Sequence, residues 1–200
     1  MKHFIQMSVG ICLGLGLVGC SPVQVGPSQT YIVNSVPALS RNVTHHHVSN
    51  VFVSLPEAGP LYSTPDMSYM LSPYQISYFV KNSWIETPAQ MLQPLIVDTL
   101  QATHDFRVVS SSQNAGRFDY QVNTQLLQFT QDFTQSPSVF RLKLRVQLIK
   151  LVDNHIVASQ DISVVEPAPQ NSPYGGVVAA NQAAKDALKI LAHFCLRYIY

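Results

Sequence analysis

The chain has 200 residues, 46% of them hydrophobic and only 12% charged, with 12 Lys and Arg against 11 Asp and Glu. A balance this close to neutrality lacks the basic excess with which a nucleic-acid binder neutralises phosphates, so nucleic acid is not an expected partner. The length suits one domain with a real core, and two would be cramped.

The first residues, MKHFIQMSVGICLGLGLVGC, predict a signal peptide over residues 1–19. Lys2 and His3 make a short basic start, Val9 to Val18 an apolar stretch, and Leu17-Val18-Gly19 a small-residue cleavage pattern directly before Cys20. The stretch is shorter than the roughly 20 apolar residues of a spanning helix. Leu17-Val18-Gly19-Cys20 resembles a bacterial lipobox. That resemblance implies that Cys20 becomes the lipidated first residue of the mature protein, and Ser21 in place of an aspartate implies sorting to the outer membrane. An ordinary secretory signal with an incidental cysteine is the competing reading. Cleavage would remove Lys2 and leave 11 basic against 11 acidic residues. Cys12 would leave with the signal and Cys20 would carry lipid, so Cys195 alone would remain a thiol, with no partner for a disulfide. Residues 20–29 then form a lipidated start and an uncharged tether, SPVQVGPSQ, ahead of one domain over 30–200. No second apolar run reaches spanning length, so the body is expected to be soluble and held by its N-terminus.

Strands are expected at Thr30 to Val36 and Val48 to Leu55, joined by a polar loop containing His45, His46 and His47. Four prolines between Pro56 and Pro73 predict a long ordered loop with a short extended piece at Met67 to Leu71, and Gln75 to Lys81 reads as a strand. Thr87-Pro88-Ala89-Gln90 carries the signals of a helix start, a hydroxyl N-cap, proline at N1 and glutamine at N3. Met91, Leu92, Leu95, Ile96, Thr99 and Leu100 supply its apolar stripe, and Pro94 inside it predicts a bend or a later start. Phe106 to Val109 is a strand candidate, and Phe118 to Phe133 changes parity at Leu126-Leu127, which predicts a bulge. From Val139 to Val152 the alternation is clean, with Leu142, Leu144, Val146 and Leu148 opposing Arg141, Lys143, Arg145 and Gln147. Asp153-Asn154 reads as a hairpin turn into Ile156 to Val164. A loop over Glu166 to Tyr174 leads through Gly175-Gly176 to a helix from Val177 to about Tyr198, buried along Ala180, Ala184, Ala187, Leu191 and Phe194 or Cys195. This order predicts an α+β fold, an antiparallel or mixed sheet covered by two helices in a single compact domain.

Little here suggests catalysis. Three consecutive histidines cannot all face one metal, and no other ligand lies at suitable spacing, so no metal and no cofactor is expected. No nucleophile elbow, zinc-protease motif or phosphate loop occurs, the acidic residues are scattered in sequence, and Gly175-Gly176 is better explained by close helix packing than by anion binding. Arg141, Lys143 and Arg145 form a basic strip that is either a solvated sheet face or a contact for an anionic lipid or acidic partner. The segment from Leu61 to Trp84 holds more aromatic and Met residues than one strand can hide. Tyr62, Tyr69, Tyr74 and Trp84 are therefore candidate contacts, against the alternative of a core-covering loop.

Taken in order, Tyr31-Ile32-Val33, Val51-Phe52-Val53-Ser54-Leu55-Pro56, the Tyr69 to Tyr74 segment, Trp84 followed by Pro88, Leu92 and Leu100, and Phe106 to Val109 resemble the auxiliary lipoproteins of ABC-type lipid transport, the PqiC-like group. The departures are Val33 for a usual leucine and extra residues at 57–73, where only Pro65 of a typical passage is kept. The resemblance implies a non-enzymatic, outer-membrane lipoprotein facing the periplasm. Its partners would be a membrane-bridging MCE-domain protein and the associated ABC transporter, in phospholipid transport, and a homo-oligomer is compatible with it. The alternative is a structural or assembly lipoprotein of another envelope complex.

Overall fold

A computed structural model describes residues 27–39 and 49–199. The expected signal peptide, Cys20, most of the expected tether and His45 to His47 lie outside the described residues.

The strand Tyr120–Asp132 (β7) organises the sheet. One of its edges pairs antiparallel along its whole length with Val139–Lys150 (β8), which pairs antiparallel with His155–Pro167 (β9). Three parallel strands share its other edge in succession: Asn50–Val53 (β2), Glu57–Ala58 (β3) and Asp66–Ser72 (β4). Outside β4 lies its antiparallel hairpin partner Gln75–Trp84 (β5), and Gln29–Tyr31 (β1) runs parallel to the end of β5. Val108–Ser110 (β6) pairs parallel with β2. Helix α1, Pro88–Ala102, and helix α2, Pro173–Tyr198, complete one mixed α+β domain.

The amphipathic pattern explains which face is buried. Leu142, Leu144, Val146 and Leu148 of β8 are at most 1% exposed, and Ile162 and Val164 of β9 point the same way, against α2. Each such side chain contributes about 1.5–3 kcal/mol on leaving water. The parity change in β7 is a bulge: the β7–β8 register shifts between Leu126 and Gln128, which lets both Leu126 and Phe129 face inward. Helix α1 begins where its cap signals place it. The Thr87 hydroxyl accepts from the Gln90 N–H and the Gln90 side chain caps Thr87 in return. The helix runs through Pro94 rather than starting after it. Pro94 sits on the exposed face, where the carbonyl deprived of its donor meets water.

Four expectations need correction. The first ladder ends at Tyr31, because the backbone beyond it is held by α2. Asn181 accepts from the Asn34 N–H (3.0 Å) and donates to the Ile32 carbonyl (3.1 Å). The loop at 57–73 contains β3 and the full seven-residue β4, whose pairing with β7 comes from distant sequence. Residues 60–62, expected as loop, form a single 3₁₀ turn that seats Tyr62. Helix α2 begins at Pro173 with Ser172 as N-cap, so Gly175 and Gly176 occupy its first turn rather than a preceding loop. Both glycines are required by proximity. A Cβ on Gly175 would lie 2.0 Å from the Gln170 carbonyl oxygen, and one on Gly176 would lie 2.1 Å from Gln131 Oε1.

Candidate contact surface

The aromatic residues singled out in sequence divide between core and surface. Trp84 is 3% exposed and packs edge-on against Phe129 and Phe140, which also pack edge-on against each other. Tyr62 is buried and its hydroxyl meets the Thr130 hydroxyl at 3.1 Å, which in turn bonds Ser68 at 2.9 Å. Burial withdraws both from the set of direct surface contacts; they support the hairpin from beneath. Tyr69 is half-buried in a ring cluster with Phe79 and Phe133 at centroid distances of 4.4 and 6.1 Å. Tyr74 differs from all three. It occupies the β4–β5 turn with φ 69° and is fully exposed.

Around Tyr74 the hairpin displays Leu71, Ile76, Tyr78 and Val80 to solvent. Of β5, Asn82 to Trp84 pair with β1, and among the described residues no strand pairs with the outer edge of Gln75 to Val80. Val80, at 93% exposure, escaped the sequence reading because its neighbour Phe79 hides the alternation that Ile76, Tyr78 and Val80 make with Gln75, Ser77 and Lys81.

The basic strip does stand on the outer sheet face, but its charges are paired. Arg141 Nε donates to Asp132 at 2.8 Å, and Arg145 grips Asp161 through Nε and an Nη at 2.8 and 3.1 Å. Lys143 Nζ lies 3.6 Å from Asp161. Arg145 and Asp161 are direct cross-strand neighbours, which sequence spacing cannot reveal without the β8–β9 register. Burial pushes the Asp132 carboxyl up, but hydrogen bonds from Thr134 and Arg141 outweigh it and hold the group below its ordinary range. The Arg145 hydrogen bond lowers Asp161, and Asp161 raises Arg145 in return. What sequence presents as three cations is therefore a charge ladder of two acids and three bases.

Two acidic residues far apart in sequence do meet. Desolvation, followed by the charge of Asp186 and a hydrogen bond with it, raises Glu166 above the usual carboxylate range. Among the described residues neither has a histidine or hydroxyl nucleophile bonded to it; Gln182 donates to Asp186 at 2.8 Å. Cys195 is fully buried and burial alone pushes its thiol up to about 12, a value at which it is inert at neutral pH. Among the described residues no group of three or more His, Cys, Asp or Glu side chains is arranged to hold a metal, and no helix is long and apolar enough to cross a membrane. A groove of about 450 Å³ lies open between Asn34, Ser35 and the Tyr174 to Lys185 face of α2.

Known structures share this fold. Protein XCC0632 from Xanthomonas campestris superposes with a TM-score of 0.76 at 19% identity, covering 84% of this chain and 95% of its own. A second, described only as an uncharacterized protein, gives 0.69 at 13% identity, with 84% and 98% covered. No curated protein matches in sequence. The family described as the ABC-type transport auxiliary lipoprotein component matches residues 34–189, from the clasped segment after β1 to the last turns of α2. The chain therefore belongs to the ABC-type transport auxiliary lipoprotein family.

Proposed function

We propose that this chain is an outer-membrane lipoprotein, acylated at Cys20 and facing the periplasm, that serves as the docking component of an MCE-type ABC system moving phospholipid between membranes. The observation that carries this reading is the family match over 34–189, which spans all strands except β1, helix α1 and helix α2 as far as Lys189. The site chemistry agrees with it. The one remaining thiol is inert, each cation of the charged strip has an acidic neighbour, and the hairpin exposes apolar side chains suited to contact. Transport energy and the lipid conduit then belong to the partners.

Crosslinking intact envelopes and purifying the tagged chain tests the partner. Recovery of an MCE-domain protein together with an ABC transporter subunit is expected, and recovery of a different envelope complex in their place refutes the assignment. Cys20→Ala is expected to abolish acylation by mass spectrometry and release the protein from outer-membrane fractions. Retention of acyl mass on that variant refutes the anchor.

A further inference from the structure

The sheet has one pole without charge. The rung Met70, Asp132, Val139 and Pro167 crosses β4, β7, β8 and β9 in register. The chain beyond it comprises the β4–β5 turn, the β7–β8 turn and the β9–α2 connection. The stretches containing these turns, residues 67–80, 133–140 and 167–184, hold no Asp, Glu, Lys or Arg. The opposite pole differs. Past the rung Tyr120, Lys150 and His155 lie Arg117, Asp119 and Asp153. Apolar side chains protrude at this pole with no charged residue beside them, Tyr74 and Leu71 at the hairpin tip, Ile76 next to it and Tyr174 at the start of α2, whereas Val152 and Ile156, exposed at the other pole, flank Asp153 and His155.

The direction of β1 supplies a second, independent observation. Because β1 runs parallel to β5, with Gln29 opposite Asn82, the chain ahead of Gln29 approaches from the Tyr74 end of the hairpin. The Ser28 hydroxyl continues that approach, donating to the Lys81 carbonyl at 3.4 Å. Eight residues lie between Cys20 and Gln29, nine Cα steps with a reach of at most about 32 Å. From Asn82 to Tyr74 the strand covers about 27 Å. A tether extended along this approach brings a lipid on Cys20 to the Tyr74 end of the hairpin, the uncharged pole.

We propose that the β4–β5 hairpin tip is a second membrane contact, with Tyr74 and Leu71 seated at the lipid headgroup level and the sheet standing on that pole. A tyrosine beside aliphatic side chains suits an interface that is wet on one side and apolar on the other. The absence of charge removes the desolvation cost that Lys or Asp would impose there. Acyl chains supply the retention, and the hairpin sets the orientation. This inference rests on the anchor at Cys20 proposed above.

The test uses the mature acylated protein, reconstituted in vesicles of phosphatidylethanolamine and phosphatidylglycerol carrying a nitroxide-labelled phosphatidylcholine. Leu71→Cys, Val80→Cys and Val152→Cys each receive an environment-sensitive fluorophore. Cys195 is buried and stays unlabelled, and Val152 is an exposed reporter in the turn at the charged pole. Quenching is expected in the order 71, 80, 152, with the first roughly twofold or more above the last. Flotation with equal quenching at 71 and 152 overturns this inference and leaves the anchor standing. Failure to float overturns the anchor and this inference with it. Shielding at 71 that rises with protein concentration in detergent, without vesicles, assigns the tip to a protein contact and overturns it as well.

Discussion

Replacing Gly175 by Ala should destabilise the protein, although alanine is the better helix former by about 1 kcal/mol. The new Cβ would fall 2.0 Å from the Gln170 carbonyl oxygen and 3.0 Å from its carbon, so backbone must move. That loop cannot yield freely. The Ser138 N–H donates to Asn171 Oδ1 at 2.7 Å, the Ala168 N–H donates to the Ser138 carbonyl at 2.7 Å, and the Ser172 N–H donates to the Gln170 carbonyl itself at 2.9 Å. Losing one or two such bonds costs about 1 kcal/mol each, and overpacking strain adds about 1–3 kcal/mol. The net loss is about 2 kcal/mol after the propensity gain, which for a domain of this size lowers the thermal midpoint by about 4–8 °C. Gly176→Ala makes the discriminating comparison. Its obstacle is a side-chain amide, Gln131, held by bonds from Nε2 to Ser138 Oγ and the Ser172 carbonyl, both 3.1 Å. Adding Gln131→Ala should therefore relieve part of the Gly176→Ala loss, leaving the double variant more stable than the sum of the singles, while Gly175→Ala gains nothing from it. Calorimetry on the three single variants and the two doubles with Gln131→Ala decides the matter. A neutral or stabilising Gly175→Ala, or strict additivity of Gly176→Ala with Gln131→Ala, refutes the close seating of α2 on this loop.

Asp132→Ala should cost about 1–3 kcal/mol, because it leaves the Arg141 guanidinium without its acceptor, measured by denaturant titration at neutral pH. The Asp132 carboxyl lies below its ordinary value of 3.8, so its stabilisation is present above that pH and is lost as the pH falls through the depressed folded value. The gap between wild type and Asp132→Ala should narrow as the pH falls below 3.8, and a gap that stays constant throughout the acid range would contradict the pairing. Glu166 has the opposite sign: its folded state holds a proton more tightly than the unfolded chain, so stability falls as the pH rises from below 4.5 through the raised value. Glu166→Gln should raise the thermal midpoint at pH 7 and converge with wild type below pH 4. Cys195 should resist aqueous thiol reagents in the native state and react at the rate of global opening, followed by mass spectrometry; rapid native labelling would contradict its burial.

The parts of the fold that sequence revealed are those whose causes are local. The capping box at Thr87 and Gln90, the alternation of Leu142 to Leu148 and the parity break at Leu126-Leu127 each depend on neighbours a few residues away. What sequence concealed depends on register. Asp161 is legible as the partner of Arg145 only once β8 and β9 are aligned, and β4 becomes a strand because β7, some 60 residues on, offers an edge. The candidate contacts divided for the same reason. Nothing local separates Trp84, in the core, from Tyr74, in solvent; the hairpin's position against β7 and β1 decides it. The charge-free pole was present in the sequence as three separate uncharged stretches, and topology alone gathers them at one end.

The parallel pairing of β1 with β5 has a mechanical consequence. A pull on the chain ahead of Gln29, directed along the strand axis, shears the β1–β5 hydrogen bonds together instead of peeling them singly. Immediately behind them Asn181 rivets the chain to α2 through Asn34, Ser35 and Ile32. A short ladder backed by a helical rivet lets the body bear load where the chain ahead of Gln29 enters it.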